Sequence, residues 1–107
     1  MTEPAFDMST IVALYKEDAR QSVKGMADAW AQWSQVSDGG QARQALRKLS
    51  HQLRGSGKTY GFSQVTRVSK AIENIMIKLD NKTLMADENV RLSVKRKLDR
   101  LAAAFKD

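Results

Sequence analysis

Residues 51–62, "HQLRGSGKTYGF", contain the two patterns in this chain that could do chemistry. "GSGKT" suggests a loop that binds nucleotide phosphates, whereas the only histidine of the chain, His51, could itself carry a phosphoryl group. The phosphate-binding loop of nucleoside triphosphatases has the pattern GxxxxGK[ST], which requires a glycine at position 52 here. The chain has Gln52 there, and the stretch follows an amphipathic helical pattern instead of the buried strand that such a loop follows. We therefore interpret "GSGKT" as a chance match and predict no nucleotide site.

The surroundings of His51 favour a nucleophile on the outside of a helix. At 100° per residue, His51 lies about 180° from Ala42, on whose side the apolar residues cluster. Gly55, one turn further on, removes a side chain that would crowd an incoming group, although glycine inside a helix costs about 1 kcal/mol relative to alanine. Four basic residues share this outer face and would neutralise a phosphoryl group; they are Arg47, Lys48, Arg54 and Lys58. The alternative is an ordinary surface histidine on a solvated basic face.

Helices must position these residues, because apolar residues recur at steps of three and four along the chain. Only one proline occurs, and no alternating run of the strand type is evident. The four apolar stripes are Val12, Tyr15, Ala19, Val23, Met26, Trp30 and Trp33; Ala42, Ala45, Leu46, Leu49 and Leu53; Val65, Val68, Ile72, Ile75, Met76 and Leu79; and Val90, Val94, Leu98, Leu101 and Phe105. Four such segments with short connections predict an all-α, antiparallel four-helix bundle that forms a single domain, residues 1–107.

Breaks in these stripes predict where the helices begin and end. The first segment, about residues 8–36, is long for a small bundle, so we consider a split that gives a short extra N-terminal helix. "SDGG" ends this segment, and the second helix is expected to begin near Gln41 and to weaken or end at "GSGKTYG". Ser63 is a reasonable N-cap for the third helix, "DNKT" ends it, and the last helix is expected to start at Asp87.

Composition narrows the function classes. The chain has 107 residues and a formal net charge of +6, which favours anionic partners such as nucleic acid, an acidic membrane surface, a phosphate or an acidic protein. Without cysteine there is no disulfide framework, and one histidine with carboxylates is a poor zinc ligand set, so we predict no metal site. Neither a membrane-spanning apolar run nor a signal-peptide pattern is present, so a cytoplasmic protein with no membrane partner is expected.

The stretch around His51 resembles the histidine-containing phosphotransfer (HPt) domains of two-component phosphorelays. The pattern of that family is close to H-x-L-[KR]-G-S-x-x-x-x-G, followed by apolar, small and acidic or amide positions on the next helix. The matching residues are His51, Leu53, Arg54, Gly55, Ser56, Gly61, Val65, Ser69, Ile72 and Glu73. The resemblance implies that Nε2 of His51 attacks the phospho-aspartate of a receiver domain and later passes the phosphoryl group to another receiver.

The resemblance also implies roles for the neighbours of His51. Arg54 would screen the phosphate, Gly55 would give clearance, and Glu73 would hold the other ring nitrogen. Glu73 lies about 110° from the centre of its apolar stripe, so it could reach over the edge towards His51, and an ordinary boundary glutamate is the alternative. Candidates for an apolar docking patch are Ile11, Leu14, Tyr60 and Phe62.

The implied partners are response-regulator receiver domains and an upstream hybrid sensor kinase. We expect a monomer that needs no cofactor and has no kinase activity of its own, since the magnesium belongs to the receiver in this family. The strong positive charge departs from the many acidic members of the family, and it fits either an especially acidic receiver or a second, electrostatic role.

Three alternatives stay open at this point. The chain could be a docking module that is not phosphorylated, or a basic bundle that binds nucleic acid, although no helix-turn-helix spacing supports the latter and we expect no nucleic acid partner. It could also be the phosphotransfer module of a chemotaxis-type kinase. The ending "AAAFKD", which has no linker, favours a free-standing protein.

Overall fold

Four helices make up the computed structural model, which describes residues 7–35 and 40–106. They are α1 (Met8–Gln35), α2 (Gly40–Thr59), α3 (Ser63–Asp80) and α4 (Glu88–Ala104). Each helix contacts its neighbours in the order α1, α2, α3, α4 and back to α1, while α2 and α4 do not meet across the described part of the bundle. This closed ring of helices confirms the predicted all-α four-helix bundle.

The core lies where the four predicted stripes face one another. Seven apolar residues have no exposed surface: Met26, Leu46, Val65, Ile72, Met76, Val94 and Leu101. Trp30, Ala45, Leu49, Ile75 and Val90 are partly buried and pack against this cluster. Full burial stabilises a side chain of this size by about 1.5–3 kcal/mol relative to exposure, so the stripes determine the fold.

α1 is one continuous helix of 28 residues, so the split that the sequence left open, with a short extra helix, does not occur. The helix begins beside Asp7, whose Oδ1 accepts a hydrogen bond from the backbone N–H of Thr10 at 2.9 Å. This carboxylate satisfies one of the N–H groups that a helix start leaves without a partner. The continuity follows from the core stripe, because Tyr15, Ala19 and Val23 are buried one after another along the helix.

The boundaries of α2 agree with the sequence, whereas the cap of α3 does not. α2 begins at Gly40, next to the predicted start near Gln41, and it ends at Thr59, inside the stretch "GSGKTYG" where a weakening or an end was predicted. Ser63 is the first residue of α3 and not its N-cap; the N-cap is Phe62, whose side chain makes no capping hydrogen bond. The break at "SDGG" falls mostly on residues 37–39, which lie outside the described residues.

The start of α4 agrees with the sequence. Asp87 is its N-cap, and its Oδ1 accepts a hydrogen bond from the N–H of Val90 at 2.9 Å. No helix within residues 7–35 and 40–106 is both long enough and apolar enough to cross a membrane.

Small residues bring α2 and α3 close together. Ser50 on α2 and Ser69 on α3 are completely buried. A Cβ atom at Gly57 would lie 2.9 Å from Oγ1 of Thr66, so only glycine fits at this contact. The chain then turns through Gly61, whose φ of +83° is in the left-handed region that favours glycine. The close approach of α2 and α3 lets side chains on their outer edges meet.

Candidate functional site

His51 lies on the outer face of α2, and its side chain is 59% exposed. Its Nδ1 atom is 2.7 Å from Oε2 of Glu73, which reaches across from α3 and is only 8% exposed. A carboxylate can only accept a hydrogen bond, so this contact assigns the imidazole proton to Nδ1. The other ring nitrogen, Nε2, then keeps its lone pair, and the exposed imidazole can act as a nucleophile.

Arg54 completes a three-residue cluster with this pair. Its Nη1 lies 3.0 Å from Oε1 of Glu73, and its Nη2 lies 3.3 Å from Nδ1 of His51. Oε1 makes no aligned hydrogen bond within the described chain, and an arginine cannot donate to a nitrogen that already carries a proton. Arg54 is therefore held beside the buried carboxylate by charge, without directed hydrogen bonds, and its guanidinium can turn towards another anion.

The remaining predicted cations lie around the cluster but do not join it. Nη1 of Arg47 is 2.7 Å from Oδ2 of Asp80, at the end of α3. Arg47 and Lys48 line a groove along the α2–α3 seam, beside His51. Lys58 is exposed in the last turn of α2, about 10 Å along the helix axis from His51. The structure thus brings Arg54 and Glu73 to the histidine and leaves Arg47 engaged with an acidic partner.

Two glycines of α2 lie in opposite environments. A Cβ atom at Gly55 would find no atom within 4 Å, whereas one at Gly57 would lie 2.9 Å from Thr66 Oγ1 and 3.2 Å from the carbonyl oxygen of Phe62. Gly57 is therefore a glycine of the helix–helix contact. Nothing inside the described molecule requires glycine at position 55, one turn from His51.

The predicted docking patch is only partly exposed. Leu14 is 60% exposed and Tyr60 is 37% exposed, while Ile11 is half-buried. Phe62 packs against the core, with its ring centroid 5.4 Å from those of both Tyr15 and Phe105. Leu14 and Tyr60 are thus the members of the patch that a partner could contact directly.

Tyr15 links this region to the site helix, and the sequence did not single out its hydroxyl. Its Oη lies 3.0 Å from Oγ of Ser56. The rings of Tyr15 and Tyr60 are stacked, with their centroids 4.4 Å apart. Burial raises the pKa of Tyr15, although the hydrogen bond to Ser56 acts in the opposite direction. The serine of the quoted pattern therefore fixes α1 against α2 just beyond His51.

Asp80 is the other residue that the sequence did not assign to the site. It was read only as part of the "DNKT" break, yet it borders the groove beside His51. Its position opposite Arg47 depends on how α2 and α3 align, which no local pattern shows. No cluster of three or more histidine, aspartate or glutamate residues that could hold a metal occurs in the described part of the chain.

The family model for the Hpt domain matches residues 10–104. This match covers α2, α3 and α4 completely and all of α1 except Met8 and Ser9, and it includes His51, Arg54 and Glu73. No curated protein and no solved structure matches the chain.

Proposed function

The chain belongs to the Hpt domain family, and we propose that His51 is its phosphoryl-accepting residue. Membership supports a histidine phosphotransfer role in a phosphorelay. The observation that carries the assignment to His51 is the 2.7 Å contact between Nδ1 and Glu73 on an otherwise exposed ring. This contact supports a single tautomer whose free nitrogen is Nε2.

The proposed step balances as a displacement at phosphorus. The lone pair of His51 Nε2 forms the N–P bond, while the P–O bond to the donor's aspartate breaks and its electron pair returns to that carboxylate. The proton on Nδ1 stays in place, so the positive charge that develops on the ring is balanced by Glu73. Transfer to a second receiver is the reverse displacement by another aspartate. Positioning and electrostatics dominate this class of reaction.

Charge near the histidine supports this step. Arg54 is close to the ring and is held without directed hydrogen bonds, so it can turn to the phosphoryl oxygens as they arrive. Such charge-assisted contacts stabilise the transferring group. Lys48 adds a positive charge to the groove beside His51, and Gly55 leaves room for the donor.

The proposed partners are receiver domains of response regulators and an upstream hybrid sensor kinase. α2 carries five basic residues and no acidic one, which supports docking by the acidic active-site face of a receiver. We propose that the protein acts as a monomer in the cytoplasm. It would act as a transfer intermediate, since kinase chemistry would have to come from its partner.

The test is transfer of a labelled phosphoryl group from a phosphorylated receiver to the protein. We expect label that is lost in acid and kept in alkali, and no label on the His51→Gln variant. Gln52→Ala, which changes the adjacent exposed residue, is the matched control and should be labelled like the unmodified protein. Transfer that persists in His51→Gln would overturn the proposal. Receiver binding without any label on the unmodified protein would instead identify a docking module.

A further inference from the structure

We propose that the outer face of α3 and α4 is a docking surface for an anionic lipid bilayer. We call this the basic face and define it by Arg67 and Lys78 of α3 and Arg96, Lys97 and Arg100 of α4. This inference does not depend on the proposed function of His51. The expected absence of a membrane partner rested on the lack of a spanning segment, which says nothing about binding at a bilayer surface.

Helix geometry places these five residues on one side of the bundle. Glu73 marks the side of α3 that faces α2, and at 100° per residue Arg67 and Lys78 lie away from it. The indole N–H of Trp30 donates to the carbonyl of Arg91, which marks the side of α4 that faces α1. The three cations of α4 lie on the other side of that helix, towards α3.

The acidic residues within α3 and α4 are paired with groups that do not belong to the basic face. On α3, Glu73 and Asp80 both point to α2, where they contact His51, Arg54 and Arg47. On α4, Glu88 pairs with Arg91, and Asp99 pairs with Lys95, which lies on the side towards α1. These acidic groups therefore form no ion pair with the cations of the basic face, which keeps its positive charge.

The cations of the basic face are close enough to repel one another, and the fold does not require them to be so close. Lys97 is half-buried, and its Nζ donates to Oγ of Ser93 at 2.8 Å. Burial, followed by the charges of Arg96 and Arg100, lowers the pKa of Lys97. Like charges held this close repel one another in the free protein, and an anionic surface would relieve that repulsion.

Two exposed apolar residues favour a bilayer over other anionic partners. Met85, in the α3–α4 connection, is 78% exposed, and Leu92, one turn before Arg96, is 41% exposed. Such side chains can enter the boundary between headgroups and acyl chains while the cations bind headgroups. Nucleic acid has no acyl-chain layer that these apolar side chains could enter. In addition, neither α3 nor α4 contains an aromatic residue on which bases could stack.

The basic face and the histidine can be used at the same time. His51 lies on the outer side of α2, which does not contact α4 in the described bundle. A bilayer against α3 and α4 therefore leaves the histidine open to a partner from solution.

Cosedimentation with lipid vesicles tests this inference. We expect binding to phosphatidylcholine vesicles that contain about one third phosphatidylglycerol, no binding to phosphatidylcholine alone, and release by high salt. The double variant Arg96→Gln, Arg100→Gln should bind about thirtyfold more weakly. Lys24→Gln with Lys95→Gln removes the same net charge elsewhere and should change binding less than about threefold. Thermal unfolding of each variant checks that it folds.

The apolar contribution has its own variant. Met85→Ser with Leu92→Ser should weaken vesicle binding about fivefold and leave its salt dependence unchanged. Equal losses in the two charge variants would overturn the inference, because net charge alone would then explain the binding. Tighter binding to duplex DNA than to the vesicles, lost in Arg96→Gln, Arg100→Gln, would also overturn it and assign the face to nucleic acid.

Discussion

Gly55 is the residue at which one substitution should change stability and phosphotransfer in opposite directions most clearly. It lies inside α2 on the exposed face, and a Cβ atom there would meet nothing within 4 Å. Gly55→Ala should therefore stabilise the folded protein by about 0.5–1 kcal/mol, because alanine loses less backbone entropy in a helix. This gain corresponds to a rise in Tm of roughly 4 °C for a domain of this size.

The same substitution should slow phosphotransfer. The added methyl group lies one helical turn from His51, on the face that the donor must approach until nitrogen and phosphorus are about 3–3.5 Å apart. Displacement of the donor by about 1 Å is enough to lower the rate tenfold or more. Gly55→Leu should slow transfer further, because the longer side chain extends into the space that the donor needs.

Thermal unfolding and single-turnover transfer from a phosphorylated receiver are the two measurements. Gly57→Ala is the matched control, since its Cβ would lie 2.9 Å from Thr66 Oγ1 and should destabilise the fold by about 1–3 kcal/mol. If Gly55→Ala is more stable and both Gly55 variants transfer at the unmodified rate, the clearance role is refuted. A loss of stability in Gly55→Ala would refute the open environment on which the reasoning depends.

The other predictions concern the groups that hold the site. Glu73→Ala should slow transfer about tenfold or more by releasing the Nδ1 proton and removing the charge that balances the ring, whereas Glu73→Gln keeps an acceptor oxygen but not the charge and should slow transfer less, with the tautomer of His51 read by ¹⁵N NMR. Arg54→Gln should slow transfer about tenfold, because a charge-assisted contact with the phosphoryl group is lost; an unchanged single-turnover rate would contradict that role. Tyr15→Phe should cost about 1 kcal/mol below pH 10, through loss of the hydrogen bond to Ser56. Burial raises the pKa of Tyr15 above 10.0, so its contribution to stability is lost as the pH rises through the folded pKa, and the difference from Tyr15→Phe in urea unfolding should narrow there.

The apolar pattern predicted the helices well because burial of the stripes dominates their stability. The end of α2 at Thr59 falls inside "GSGKTYG" as predicted, but the pattern did not show the close contact of Gly57 with Thr66. The pattern failed at the cap of α3. Ser63 was expected to cap α3, yet the path of the chain from Gly61 makes Phe62 the N-cap.

The site could be predicted in part for a similar reason. The angle between His51 and the apolar stripe followed from helix geometry, and the structure gives that side chain 59% exposure. Its 2.7 Å contact with Glu73 could not be derived from one helix, because it depends on how closely α2 and α3 approach. Ser50 and Ser69 allow that approach because they are small and buried, and neither belongs to the apolar stripes that predicted the helices.

The distribution of charge explains more than the net value of +6. α1 carries three basic and three acidic residues, whereas α2 carries five basic residues and no acidic one. The acidic residues within α3 and α4 are paired with groups outside the basic face, so they do not form ion pairs with its cations in the described fold. A charge needed only for solubility could lie on any helix, but here it is concentrated on two separate faces. Because α2 and α4 do not touch, each face can bind an anionic partner without blocking the other, and substitutions on one face should leave binding at the other unchanged.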